Sequence, residues 1–226
     1  MAAMDGQLSL ALTSGSTGQK KSALLQLRSM GEYGAAAMGY HELAGNLLND
    51  LDPSVQVAAI NALGYMGQYG ADFAESVAEK VKGGANKDVK KAALQALGYF
   101  GEAASTYSEL VEACIDDKDL DLVVEACIAL GSMKVTSAAG KLAAKLKEKD
   151  TEVIIAACIG LGSMEAEVDA LGDMLKSSEA RVKAAALGAM PSAAADKFLS
   201  TACSLLADQD VFVRMNAMNL ITGLGE

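Results

Sequence analysis

Apolar residues return along this chain with a helical period. In the stretch VKKAALQALGYFG, the apolar Val89, Ala92, Ala93, Ala96, Leu97 and Phe100 are spaced to fall on one face of a 3.6-residue helix, and Gly101 is placed to stop it. Copies of this helix recur. Aligned on Leu97, they are SALLQLRSMG at Leu27, AAINALGYMG at Leu63, EACIALGSMK at Leu130, AACIGLGSME at Leu161, AAALGAMPSAA at Met190 and NAMNLITGLG at Ile221. A period of roughly 30 to 36 residues with one helix pair per unit predicts an α-solenoid, a fold in which each unit packs only on its neighbours.

The pattern divides the chain into units, each a first helix of the Val89 type followed by a second. Residues 5–12 carry Leu8, Leu10, Ala11 and Leu12 and read as the second helix of an incomplete leading unit. A helix over 19–30 then pairs with one over 36–49, joined by the glycine-flanked Gly31-Glu32-Tyr33-Gly34. Asp52-Pro53 is a cap followed by proline at the first helical position, so the next helix runs from 53 to about 67 and pairs with 71–82. Gly83-Gly84-Ala85-Asn86 breaks the chain before the reference helix, whose partner spans 105–116. Asp119, Asp150 and Ser178 open the following units, which pair with 137–149, 166–176 and, across Pro191, 193–207. A last first helix covers 210–224. Residues 1–226 therefore read as a single repeat domain with half-repeats at both ends, either capped by lone helices or cut from a longer solenoid.

Composition adds to this picture. Apolar residues are 51% of the chain and aromatics only 4%, with no Trp, so the core must be built from Ala, Leu, Val, Ile and Met. The net charge is −10, shared between residues 1–113 (eight cations, twelve carboxylates) and 114–226 (eleven and seventeen). No basic stripe stands out, which argues against nucleic acid or an anionic membrane as the partner. The longest apolar run, 153–162, is half of what a membrane helix needs. The first residues lack a basic segment ahead of their short apolar patch, unlike a secretory signal. Cys114, Cys127, Cys158 and Cys203 lie far apart without metal-ligand spacing and read as buried free thiols, consistent with a reducing, cytoplasmic setting.

Chemistry-bearing motifs are few. GSTGQKKS at 15–22 looks like a phosphate loop, but Lys20 stands where that motif needs glycine and no strand precedes it. Asp117, Asp119 and Asp121 alternate as in a calcium loop, yet Leu122 and Ile128 replace the required glycine and glutamate, so helix capping explains them. A single histidine, His41, supplies no Ser-His-Asp or Cys-His constellation. No enzyme activity, metal site or cofactor is expected.

The tandem pattern D-x-x-V-x-x-A-A-L-x-A-L-G-x-[MF]-G resembles HEAT repeats, and in particular the short HEAT-like class of phycobilin lyase subunits and deoxyhypusine hydroxylase. The resemblance covers nearly the whole chain and implies an all-α fold, a right-handed α-solenoid of about six to seven HEAT-like helix pairs. It also implies a non-catalytic protein–protein interaction scaffold, a subunit of a larger assembly; the alternative is a chromophore-handling protein similar to phycobilin lyase subunits. Deoxyhypusine hydroxylase-like proteins hold two irons through several His-Glu pairs, whereas this chain has only His41-Glu42.

Two candidate contact surfaces follow. Tyr33, Tyr65, Tyr69, Tyr99 and Tyr107 lie in or beside the inter-helix turns of the first three units, where later turns carry Ser132, Ser163 and Ser192. They form either a contact edge or an edge core packed over neighbouring turns. In HEAT-like solenoids the second helices usually line the concave side. Here they carry Glu75, Glu79, Glu109, Glu112, Glu167, Asp169 and Asp173, with Lys141, Lys145 and Lys147 as a basic interruption, so a partner with a basic surface is expected.

Overall fold

The computed structural model describes the backbone of residues 2–37, 39–82 and 86–223, and their side chains except those of 2–5 and 31–37. Every regular element among the described residues is a helix. The helices fall into two compact units, Met1–Ala113 and Cys114–Glu226.

The first unit contains α1 (Ala2–Ser14), α2 (Thr17–Ala37), α3 (Tyr40–Asn46), α4 (Pro53–Tyr65), α5 (Gln68–Ala71), α6 (Ala74–Glu79), α7 (Lys87–Phe100) and α8 (Ser108–Glu112). Its long helices α2, α4 and α7 stack side by side. Side chains fix where they begin. Ser16 and Gln19 form a capping box at α2, with the Ser16 N–H donating to Gln19 Oε1 at 2.8 Å and the Gln19 N–H to Ser16 Oγ at 3.5 Å. The phosphate-loop look-alike is thus a helix cap. The Asp52 carboxylate accepts from the Ser54 N–H at 2.8 Å ahead of Pro53, and Asn86 accepts from the Asp88 N–H at 2.8 Å. On α7 the whole expected stripe, Val89, Ala92, Ala93, Ala96, Leu97 and Phe100, is buried.

Two boundaries differ from expectation. Helix α2 continues through residues 31–34 to Ala37, because the alanines that follow favour helix, and the chain turns at Gly39 with φ +72°. The second helices are shorter than the pattern suggests. The stretch 71–82 is divided between α5 and α6, and 105–116 begins as a 3-10 turn over Gly101–Tyr107 before α8. The residues at their starts, Gly67, Phe73 and Tyr107, make no side-chain cap bond, so these segments close in tighter turns. The expected break at Gly83-Gly84-Ala85 and the end of the last helix at Leu224 lie outside the described residues.

The second unit contains α9 (Leu120–Ser132), α10 (Ala139–Lys145), α11 (Thr151–Met164), α12 (Val168–Met174), α13 (Ala180–Ala189), α14 (Ala195–Leu205) and α15 (Val211–Thr222). Again the long helices α9, α11, α13 and α15 stack side by side. The acidic turn before α9 is a relay of caps: Asp117 accepts from the Asp119 N–H and Asp119 from the Asp121 N–H, each at 3.0 Å. Asp150 and Asp210 each accept from two backbone N–H groups at the starts of α11 and α15. Between α9 and α11 the backbones meet at glycines: a Cβ on Gly131 would lie 2.5 Å from the Gly160 Cα.

Cys114, Cys127 and Cys158 are buried, but Cys203 is exposed, against the expectation of four buried thiols. Helix α14 turns Ala195 and Ala202 inward, which carries the adjacent residue 203 off the buried stripe. No helix among the described residues is long and apolar enough to cross a membrane.

Candidate functional site

The anchor leucines Leu27, Leu63 and Leu97 of α2, α4 and α7 are fully buried. At about 100° per residue, positions two and six before each anchor, and two after it, point away from the core. The six side chains at the earlier positions are Lys21, Leu25, Val57, Asn61, Lys91 and Gln95, and all six line a groove of about 700 Å³ across the three helices. At one edge stand the residues two after the anchor on α4 and α7, Tyr65 and Tyr99, which are 40% and 54% exposed. Their rings lie 5.2 Å apart at 40°. The Arg28 guanidinium covers the Tyr65 ring at 4.0 Å from its centroid and donates to the Tyr65 hydroxyl at 2.7 Å. Cation and two rings thus form a short ladder along the groove.

The other tyrosines go elsewhere. Tyr69 is half-buried in α5, 6.2 Å from the His41 ring, and Phe73 packs on the same histidine at 6.5 Å. His41 has a buried Nδ1 without a hydrogen-bond partner and an Nε2 3.8 Å from Glu42. Tyr107 is half-buried at the end of the 3-10 turn before α8. Tyr33 falls where side chains are outside the described residues. Of the four proposed edge residues whose side chains are described, Tyr65 and Tyr99 are brought together.

The short helices carry the expected carboxylates outward. Glu75 and Glu79 are exposed on α6, Glu109 is exposed on α8, and Glu112 is half-buried there. Glu79 pairs with Lys82. None of the four lines the groove of the long helices. In the second unit Lys145 is neutralised by Asp116 at 3.0 Å and Glu148 at 3.3 Å, and the hydrogen bond to Asp116 holds its ammonium above the usual lysine range. Asp169 pairs with Lys197.

The second unit has its own groove of about 1090 Å³ on the corresponding face of α11, α13 and α15. The same repeat positions line it, but with different chemistry: Ile155 and Ile159 on α11, Ala184 and Gly188 on α13, beside Phe212, which is 61% exposed. Arg181 forks onto Glu152 at 2.5 and 3.1 Å at its rim, and Asn216 donates to the Ala184 carbonyl at 3.0 Å. Neither groove lining includes a histidine or cysteine to activate a nucleophile; amides, cations, aromatic rings and aliphatic surface are groups that bind.

These groove residues were missed in the sequence, although a signal was there. The core positions stay apolar from copy to copy, whereas the positions two and six before the anchor change from Lys21 to Val57 to Lys91 and from Leu25 to Asn61 to Gln95. Positions that packing leaves unconstrained are the ones available to a ligand.

No curated protein matches the sequence. Among solved structures, the CpcE–CpcF complex of phycocyanin lyase from Nostoc sp. PCC7120 is similar at 17% identity and TM-score 0.64, over 97% of this chain and 94% of that one. An archaeal HEAT-like repeats protein from Thermococcus onnurineus matches at 15% identity and TM-score 0.54, over 98% and 97%. A designed armadillo repeat protein in complex with the peptide (KR)4 matches at 17% identity and TM-score 0.58, over 96% and 98%. At these identities the likeness is one of fold. The sequence profile of HEAT repeats matches residues 74–162 and 107–190, more than half of the 226 residues, and the chain belongs to the HEAT-repeat family.

Proposed function

We propose that this protein is a non-catalytic interaction scaffold, a subunit of a larger assembly, that binds another protein on the face of its long helices. One observation carries the reading: Tyr65 and Tyr99 stand paired and exposed beside a groove whose lining changes from charged to polar to apolar between copies while the core stays apolar. Exposed aromatics held in place by their neighbours lose little freedom on binding, which is why Tyr is enriched at the centres of protein interfaces. The designed armadillo repeat protein in complex with the peptide (KR)4 supports the idea that a helical stack of this kind can take a peptide.

The exposed carboxylates of the short helices, Glu75, Glu79 and Glu109 with Glu112 beside them, offer a second surface, suited to a partner bearing Lys or Arg. A chromophore-handling role is the reading from a different class, favoured by the match to CpcE–CpcF along nearly all of both chains.

Affinity capture from native extract, followed by identification of the chains that co-purify, tests the scaffold reading. A stoichiometric protein partner is expected. Co-expression with a bilin and an acceptor subunit tests the rival, and covalent colour on the acceptor would favour it over a simple scaffold.

A further inference from the structure

The chain's three arginines are used in different ways. Arg181 forks onto Glu152, and Arg214 donates to the carbonyl oxygens of Asp208 and Gln209 at 2.8 and 2.9 Å. Arg28 instead lies on the Tyr65 ring and gives one N–H to its hydroxyl. Among the described residues no carboxylate pairs with it. A guanidinium has five N–H donors in a planar fork that matches a carboxylate, and Arg28, oriented by an aromatic platform, spends one of them on the Tyr65 hydroxyl among the described residues.

The surroundings reinforce this charge. Residues 1–113 hold more carboxylates than cations, yet the groove gathers Lys21, Arg28 and Lys91 against Asp52 and Asp88. The Asp52 carboxylate caps α4 and also feels the charge of Lys21, so the lining carries a net of one positive charge, with the Arg28 guanidinium as its best-defined cation.

Its dimensions fit an extended chain. It crosses three helices, and two inter-helix steps of ~8–10 Å each span about five or six residues at ~3.3 Å per residue. Asn61 lies in the groove wall on the middle helix, and its carboxamide can both donate to and accept from a peptide bond. Leu25, 61% exposed, adds apolar surface in the same groove as Arg28.

We propose that the groove of the first unit binds an extended segment of another protein that carries an Asp or Glu side chain beside an aliphatic one. The carboxylate pairs with Arg28 beside the Tyr65–Tyr99 pair, and the aliphatic group rests on Leu25. This deepens the scaffold reading and depends on it, while reversing the charge expected of the partner from the short-helix carboxylates.

The test is selection of displayed random peptides on the whole chain, followed by fluorescence anisotropy of the best binder. Selected peptides are expected to share an Asp or Glu next to an aliphatic residue. Arg28→Gln, an exposed substitution, should weaken the binder about tenfold, with part of the loss restored in Arg28→Lys. Changing the peptide's acid to its amide should cost a similar factor on the unaltered chain and little on Arg28→Gln, since the two changes remove one contact. Enrichment of Lys- or Arg-rich peptides, no enrichment, or an acidic peptide indifferent to Arg28→Gln would overturn the proposal. The scaffold reading fails separately: it falls if capture with the whole chain returns no protein, and stands if a captured partner ignores Arg28→Gln.

Discussion

Gly131 of α9 and Gly160 of α11 meet so closely that a methyl group has no room between the helices. A Cβ on Gly131 would lie 2.5 Å from the Gly160 Cα, and a Cβ on Gly160 would lie 2.5 Å from the Cys127 carbonyl oxygen. The obstacle on both sides is backbone, which cannot swing aside as a side chain can. Gly160→Ala should therefore force the helices apart and lower stability by about 1–3 kcal/mol, read from urea unfolding. Gly188→Ala, where the nearest atom is 3.8 Å away, is the control and should change little beyond helix propensity.

Thiol reactivity should separate the cysteines. Cys127 and Cys158 hold the same repeat position as Leu94, and burial pushes both thiols up to about 12. Because only the thiolate attacks, both should resist a water-soluble maleimide or disulfide reagent at neutral pH in the folded protein, while the exposed Cys203 reacts promptly. Mass spectrometry of peptides after brief labelling gives the order. Equal labelling of Cys158 and Cys203 would show that the α9–α11 layer is not packed as described.

The helix stop differs among copies in a way that can be measured. Gly67 and Gly101 take φ +54° and +59°, and the residue at the same place after α11 is Glu165, with φ +55°. A side chain in the left-handed region costs about 1–2 kcal/mol that glycine escapes. Glu165→Gly should stabilise the protein by about 1 kcal/mol, net of the glycine's extra freedom when unfolded, and thermal unfolding would report it.

Acid should loosen both units through a shared device. Lys20 on α2 pairs with Asp50, and Lys183 on α13 with Asp208, in the loops that lead into the next long helix. The hydrogen bond from the lysine is the main reason that each aspartate titrates below its ordinary 3.8, helped by the backbone N–H of Asp52 or Asp210. A carboxyl held below its unfolded value contributes stability above that value and loses it as pH falls through the folded one. The melting temperature should thus drop between about pH 5 and pH 2, and the drop should be smaller in an Asp50→Asn, Asp208→Asn double variant. An unchanged acid profile in that variant would assign the loss to other carboxylates.

Much of this fold is legible in the sequence because packing repeats. The stripe from Val89 to Phe100 and the caps at Asp52, Asp119, Asp150 and Asp210 are local patterns with one structural solution each. The short helices are harder to read. They are held by contacts to the long helices and lack side-chain caps, so their ends depend on tertiary packing. The pairing of Tyr65 with Tyr99 follows from repeat spacing, but the turn of Tyr69 toward His41 does not, because it is set by the split of the second helix into α5 and α6. Cys203 shows the same limit: a one-residue shift of a helical stripe moves a thiol from core to surface.

The most direct measurement of the central claim is the affinity of a captured protein partner for Tyr65→Ala and Tyr99→Ala, each followed across a salt titration beside the unaltered chain. Both substitutions are at exposed positions and should leave the melting temperature nearly unchanged. If the long-helix face is the binding surface, each should weaken the complex by roughly 2 kcal/mol, mostly through faster dissociation, at low and high salt alike. If instead both variants bind as well as the original chain, the face of the long helices is not the site. A strong loss of association rate with salt would then move the contact to the carboxylates of the short helices.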